Sequence, residues 1–519
     1  MSKNSYKNLA LVAFSLFCLS GIIKAESKEK GQKQPNILFI LSDDHTSQAW
    51  GVYGGILKDY VKSPNINRLA DEGIVLDNCF CTNSICTPSR AAILTGKHSH
   101  KNKVYNLSHN LDRDQQNVAQ ILQKDGYQTA VIGKWHLYTK PSGFDYFNVL
   151  PGQGRYHNPL LKSEEHWVDG HDGGVEYKGF STDVIADQSI EWMKNRDKDR
   201  PFMMMCHFKA THEPFDYPER FKDLYTDIDI PEVESLFEFD NSKSDRTIKG
   251  QKLEELARRY TKNKKGYYPD MPFEVEGLDS VQLRKKVYQK LVKDFMRSGA
   301  AIDDNIGKLL KFLDDEGVAE NTIVIYTADQ GYYLGEHGFF DKRLMYEESL
   351  RMPFVIRYPN EVPSGKRSAD LIQNIDFAPT LLDYAGINVP VDMQGMSFRQ
   401  NLTGKTPKDW RDAIYYRYWM HQTNRPAHFG IRNERYKLIF FYGSPLDFEK
   451  VSKKSTKPSW EFYDLKKDPK EMINAYNNPK YTTIIASMKS DLLQLREDCG
   501  DTDEQWPQMQ EIINNHWNK

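Results

Sequence analysis

Pro35-Asn36-Ile37-Leu38-Phe39-Ile40-Leu41 is an unbroken apolar run of strand length, and it stops at Ser42-Asp43-Asp44-His45. A continuous run, rather than an alternating one, predicts a strand covered on both faces, as in the interior of a parallel sheet. Adjacent carboxylates are costly to bury, so at a strand end they either reach water or share a cation. Three later runs repeat the design. Tyr127–Gly133 leads to Lys134-Trp135-His136; Pro201–Cys206 continues through His207-Phe208-Lys209 to Thr211-His212-Glu213-Pro214; Thr322–Thr327 leads to Ala328-Asp329-Gln330-Gly331. Any one of these acids or histidines reads as a strand-end polar residue that meets water. Four such strands together predict an α/β fold with an open sheet and a site along its carboxyl edge.

Cys86-Thr87-Pro88-Ser89-Arg90, followed by Ala91-Ala92-Ile93-Leu94-Thr95-Gly96, puts a sulfur at the start of a short predicted helix. Proline fits a first helical turn and Gly96 marks the stop. The unpaired N–H groups and the dipole favour an oxyanion there, and Arg90 adds a permanent cation. A lone C-x-P reads as a buried cysteine ahead of a capped helix. The longer string Cys-Thr-Pro-Ser-Arg with a trailing Leu-Thr-Gly resembles the signature of the type I sulfatases of the alkaline phosphatase superfamily. In that family the cysteine is converted after synthesis to formylglycine (3-oxoalanine), whose hydrated aldehyde is the nucleophile.

The resemblance covers nearly the whole chain after the N-terminal segment, as far as Asp464-Leu465-Lys466-Lys467-Asp468-Pro469. It implies a large, mostly parallel central sheet between helices, alkaline phosphatase-like, with a smaller C-terminal antiparallel sheet plus helix domain. It implies calcium held by Asp43, Asp44, Asp329 and Gln330 beside the modified Cys86, and an all-oxygen side-chain set suits a hard cation rather than structural zinc. Gln330 stands where many relatives carry asparagine, which leaves an amide oxygen available. Lys134 and Lys342 match the family's sulfate-binding lysines, and Arg90 matches the residue that holds the hydrated aldehyde. His212 is the candidate general acid for the leaving oxygen, and His136 the candidate to take a proton from the second diol hydroxyl; the two roles are interchangeable at this level.

The substrate implied is a sulfated saccharide, of glycosaminoglycan or mucin type, with 6-O-sulfated N-acetylglucosamine as the specific expectation. His337, Asp341, Arg343, Tyr418, Trp419, His421, His428 and Arg432 are the candidates for a sugar subsite. A formylglycine-generating maturation enzyme is the implied protein partner. Two other readings remain open: a phosphonate or phosphate-ester hydrolase of the same superfamily, and an inactive glycan-binding protein. Intact Cys86, Lys134, His136, His212 and Lys342 count against the second.

The 519 residues exceed what one compact core usually holds. A formal charge of −2 gives no polyanion-binding surface overall, so nucleic acid is not an expected partner. Lys3 and Lys7 precede an apolar run, Leu9–Leu19, too short for a permanent span, and Ala25 offers a cleavage position. Residues 1–25 therefore read as a signal peptide and the protein as exported, periplasmic or secreted, with no later membrane span. Cys79, Cys81, Cys86, Cys206 and Cys499 would then remain, an odd number that modification of Cys86 explains. Gly404-Lys405-Thr406-Pro407 marks a boundary between a catalytic domain, 26–407, and an α+β subdomain, 408–519. An irregular insertion is expected near Asp240–Asp279, an amphipathic helix from Val281 to Leu313 with a break at Gly299, and a polar, core-poor loop from Tyr333 to Ser349 folded over a site.

Overall fold

The structure, a computed structural model, describes residues 34–237, 251–262 and 267–519. The expected signal peptide lies outside the described residues. Residues Gln34–Lys519 form one compact unit. Its centre is an eight-stranded sheet of β1 (Asn36–Asp43), β2 (Ile74–Leu76), β3 (Gln128–Lys134), β4 (Tyr146–Leu150), β5 (Phe202–Thr211), β6 (Thr322–Ala328), β7 (Phe354–Arg357) and β8 (Lys366–Ser368). The spatial order is β8-β2-β7-β6-β1-β5-β3-β4, and β7 alone runs against the rest. The four sequence-legible strands are thus the adjacent parallel block β6-β1-β5-β3, and their carboxyl ends share one edge.

Alternation along β1 explains why its run is apolar throughout. Ile37, Phe39 and Leu41 face a layer containing Ile93 and Leu94 of the helix Cys86–Thr95 and Phe377 and Leu381 of the helix Phe377–Tyr384. Leu38 and Ile40 face the opposite layer, with Ile185 of the helix Ser181–Asn195 and Ile302, Ile306 and Leu309 of the helix Ser280–Asp315. Met203 and Met205 go to the first layer and Met204 to the second, so both sides of β5 are buried.

The 36-residue helix Ser280–Asp315 is continuous, and Gly299 is no break. A Cβ there would lie 2.9 Å from His45 Nε2, so the glycine admits the imidazole that follows the Asp43-Asp44 pair. Residues 240–250 and 263–266 of the expected insertion lie outside the described residues; among the described ones, Leu253, Leu256, Ala257 and Tyr260 give the helix Leu253–Thr261 a buried stripe, so this part is more regular than expected. The Tyr333–Ser349 segment is also core-rich. Phe339, Phe340, Leu344, Met345 and Tyr346 are all buried, so its aromatic residues anchor what its glycines and charges suggested was a core-poor polar loop.

A second, antiparallel sheet runs in order through β9 (Ala413–Tyr418), β10 (His428–Asn433), β11 (Tyr436–Phe441) and β12 (Ser459–Asp464). One face, with Phe429, Leu438, Phe440 and Phe462, is covered by Ile485, Met488 and Leu492 of the helix Thr482–Asp498. The other face, with Tyr416, Tyr418 and Phe441, packs on Met345 and Tyr346 of the main body.

Candidate active site

The helix Cys86–Thr95 opens against the carboxyl edge of the parallel block and is tied to it by its first turn. Ser89 Oγ donates to the Asp329 carbonyl, and Arg90 Nε donates to Asp329 Oδ2 at 2.9 Å. Arg90 Nη1 donates to the Lys134 carbonyl at 2.6 Å, and Thr87 Oγ1 to the His136 carbonyl at 3.0 Å. The helix start is thus registered on the ends of β6 and β3, while Asp44 N donates to Asp329 Oδ1 at 3.2 Å and brings in β1. Asp44 and His136 both turn at positive φ, 69° and 56°, where each chain leaves its strand.

Oxygen atoms of Asp43, Asp44 and Asp329 lie within 4.8 Å of one another, as do ligand atoms of Asp43, Cys86 and His212. All three carboxylates are buried. Neither Asp43 oxygen has a hydrogen-bond donor, although the Lys134 ammonium ion-pairs with one, and Gln330 Oε1 is buried without a partner. Gln330 Nε2 bridges Asp44 Oδ1 at 2.5 Å and Cys86 Sγ at 3.8 Å. Orphaned buried oxygens beside clustered carboxylates fit a hard divalent cation, which would satisfy them at once.

Cations crowd the same edge. Lys342 Nζ donates to both Asp44 oxygens at 2.6 Å, and although burial opposes it, the Asp44 carboxylate holds the Lys342 ammonium above its usual value. Burial pushes Asp44 up to about 6 against the pull of Lys342 and with the help of Asp329. Burial, with Lys209 as a like charge, holds Lys134 well below the lysine range. Burial and the cations Lys134, Lys342 and Lys209 likewise hold His212 far down, and His136 is lowered by burial, Lys134, Arg90 and the same lysines. Both rings are therefore neutral in the free site. His212 Nδ1 donates to the Glu213 carbonyl at 2.8 Å, which leaves Nε2, 4.0 Å from Asp44 Oδ2, as its free nitrogen. His136 Nε2 meets the Tyr138 hydroxyl at 2.9 Å, and its Nδ1 is buried without a partner.

Burial pushes the Cys86 thiol up to about 12, with Lys342 pulling against it. The helix start does not outweigh desolvation, so the encoded side chain is a poor nucleophile at neutral pH. Lys209, which sequence reading passed over inside an apolar strand, is buried, stacks over Tyr156 at 4.7 Å, and is pushed down to about 8 by burial against Asp44 and Cys86. A lysine within such a run was the available signal. Tyr138 and Arg425 carried none.

The expected sugar-subsite residues divide. Arg343 Nε and Arg425 Nη1 both hold Asp341 Oδ2, at 2.9 and 2.7 Å, and Arg343 Nη1 reaches Tyr418 OH at 3.3 Å. Asp341 and Arg343 flank Lys342 in sequence and, with Arg425, stay partly exposed, whereas Tyr418 is fully buried. His337 is instead buried against Tyr346, with ring centroids 4.9 Å apart. His428 is fully buried between Tyr416, Tyr418 and Phe441, with Nδ1 on the Pro426 carbonyl at 2.8 Å. Arg432 pairs with Glu347 over the Phe80 ring, His421 meets the Lys454 carbonyl, and Trp419 lies under Arg417. These five serve packing, because they sit in the covered faces and connections of the second sheet or in a core-rich loop.

A family profile described as Sulfatase matches residues 35–387, and one described as N-sulphoglucosamine sulphohydrolase, C-terminal, matches 335–498. The chain belongs to the sulfatase family. It is a sulfuric ester hydrolase by that membership. An N-acetylglucosamine-6-O-sulfatase of Bacteroides thetaiotaomicron is 38% identical over 95% of this chain and 90% of its own length. Human N-acetylglucosamine-6-sulfatase is 27% identical over 78% of this chain and 71% of its own. A solved structure described as in complex with its substrate D-glucosamine-2-N,6-O-disulfate superimposes with a TM-score of 0.79, at 38% identity, over 91% of this chain and 99% of that one. A phosphonate monoester hydrolase of Agrobacterium radiobacter shares the fold, with a TM-score of 0.68 at 21% identity over 90% of this chain and 96% of that one. Sulfatases of this family use formylglycine and a metal ion, and the acidic cluster offers a metal position.

Proposed function

We propose that this protein is an exported, calcium-dependent carbohydrate sulfatase that removes the 6-O-sulfate of a glucosamine-type sugar, with residues 26–407 as catalytic body and 408–519 as a subdomain bracing it. The observation that carries the reading is the convergence of Cys86, three carboxylates and an excess of cations on one sheet edge. The matches at 38% identity support the sugar, since the curated relative is an N-acetylglucosamine-6-O-sulfatase and the solved structure holds a 6-O-sulfated glucosamine.

Asp43, Asp44, Asp329 and Gln330 would hold the calcium next to position 86, where it would supply positive charge to a developing oxyanion. Formylglycine made from Cys86 by a maturation enzyme would supply the nucleophile that the thiol, at about 12, cannot. Lys134, Lys209 and Lys342 bind the sulfate oxygens and neutralise charge as it shifts toward the leaving oxygen. Binding that anion offsets the lysine charges that, together with burial, hold the imidazoles neutral, so His212 gains a proton on Nε2 and delivers it to the sugar oxygen. Such a proton transfer typically contributes ~10²–10⁴ in rate. His136 takes the proton at position 86 through Nδ1, with Tyr138 fixing the ring from Nε2. Arg90 fixes the helix start through Asp329 and the Lys134 carbonyl, and its buried, unpartnered Nη2 is left to hold the group at position 86.

The test is sulfate release from defined saccharides sulfated singly at each ring position, assayed beside an aryl phosphate. The expected result is turnover of 6-O-sulfated glucosamines. Strong phosphatase activity with no sulfate release would overturn the reading.

A further inference from the structure

Beside the catalytic edge a polar groove of about 340 Å³ is lined by Arg113, Tyr138, His171 and Lys450, with Ser108 and Asp169. Its inner end is Tyr138, whose hydroxyl meets His136 and whose ring stands edge-on to His171 with centroids 5.1 Å apart. Tyr138 holds φ at 65°, a conformation bulky residues seldom adopt, and this turns the ring between the catalytic histidine and the groove. A narrow cleft that includes His136 shares Tyr138 and Gly170 with the groove. The outer wall is linked to the sugar side of the site. Gln422 Nε2 donates to the Lys450 carbonyl at 3.4 Å, and the tight turn from Gln422 to Arg425 is the one that carries Arg425 to Asp341.

Charge gives the groove a preference. Arg113 and Lys450 are exposed, ion-pair with no carboxylate among the described residues, and outnumber the one carboxylate in the lining, Asp169, which accepts from Trp167 Nε1 at 2.8 Å. We infer that this groove is a second sugar subsite for an anionic unit, a uronate or another sulfated residue, joined to the sulfated glucosamine. The inference rests on the sulfatase reading above and narrows it: the preferred substrate is an acidic oligosaccharide rather than a free monosaccharide.

The test compares kcat/KM for three 6-O-sulfated glucosamine substrates: the monosaccharide, a disaccharide with galactose, and a disaccharide with a uronic acid. A disaccharide with a second sulfated hexosamine separates carboxylate from sulfate as the recognised anion. Wild-type enzyme should favour an acidic disaccharide over the neutral one by about tenfold, as complementary charge directs recognition. The double variant Arg113→Gln, Lys450→Gln should bring that ratio to within about twofold of one, and Arg113→Lys should keep it. Added salt should erode the wild-type preference too, because exposed charges are screened beyond about 10 Å at 0.1 M. A wild-type preference that is absent, or one that survives both salt and the double variant, overturns the subsite while leaving the reaction standing. No turnover of any sulfated glucosamine overturns the reaction itself and the subsite with it.

Discussion

Two buried clusters of charge sit in this molecule, and they are built to different rules. Under the second sheet, Arg417 Nη1 pairs with Asp501 at 2.7 Å and Asp503 at 2.8 Å, Arg496 pairs with Asp503, and Arg417 lies 3.6 Å over the Trp419 ring. Two cations meet two carboxylates there. At the catalytic edge Arg90, Lys134, Lys209 and Lys342 share Asp43, Asp44 and Asp329, the nearby Glu213 and Asp341 being committed to Arg259 and to Arg343 and Arg425, and carboxylate, amide and imidazole atoms stay unpartnered. A balanced cluster stabilises the fold; an unbalanced one costs stability and is a place for an anion.

The sharpest break of that contrast is Cys86→Ala. Removing the only proposed nucleophile should lower kcat by about 10⁴ or more while Tm, read by calorimetry, stays within a few degrees. Turnover within tenfold of wild type would remove Cys86 from the mechanism. Metal removal comes next. Dialysis against a calcium chelator should reduce sulfate release by about 10² or more and lower Tm, and calcium should restore both better than zinc. Recovery with zinc alone would contradict the oxygen-donor set.

Arg417→Met inverts the pattern, since it leaves the buried Asp501 carboxylate without its paired cation and Asp503 with Arg496 alone. A loss of roughly 3–5 kcal/mol in unfolding free energy is expected, with kcat per folded molecule unchanged. Denaturant titration beside active-site counting would separate the two. Lys209→Met should do the reverse, lowering kcat/KM by about 10–10² while raising Tm, because a cation whose burial outweighs the pull of its neighbouring carboxylates is relieved. A fall in Tm would show Lys209 to be structural. The smallest effect is on pH. Lys209 is charged below about 8 and neutral above it, so wild-type kcat/KM should fall as pH rises through that value. Lys209→Arg should move that alkaline limb upward, and an unmoved limb would assign it to another group.

The parallel block was legible because strands covered on both sides write their burial as unbroken apolar runs, and because residues past four such strands converge on one edge. Asp43, Lys134, His212 and Asp329 needed only that geometry to be brought together. The sugar subsite was harder to read for the same reason. Tyr415–Met420 and His428–Arg432 belong to a sheet covered on both faces, so no alternation marks which side meets water, and His428 and Arg432 turned out to face the body. Arg425 reaches Asp341 across 84 positions of chain through a turn with no distinctive composition. Lys209 was hidden by its neighbours, since an ammonium inside an apolar strand is a cost that only the surrounding site explains.

The thiol at position 86 is 2% exposed, beneath the ends of several strands and at the first turn of a fully buried helix. No second protein could grip that segment without prising the sheet edge apart. A catalyst that oxidised this sulfur would therefore have to meet the chain while it is still open, which would make competence for catalysis a property written before folding and beyond repair afterwards.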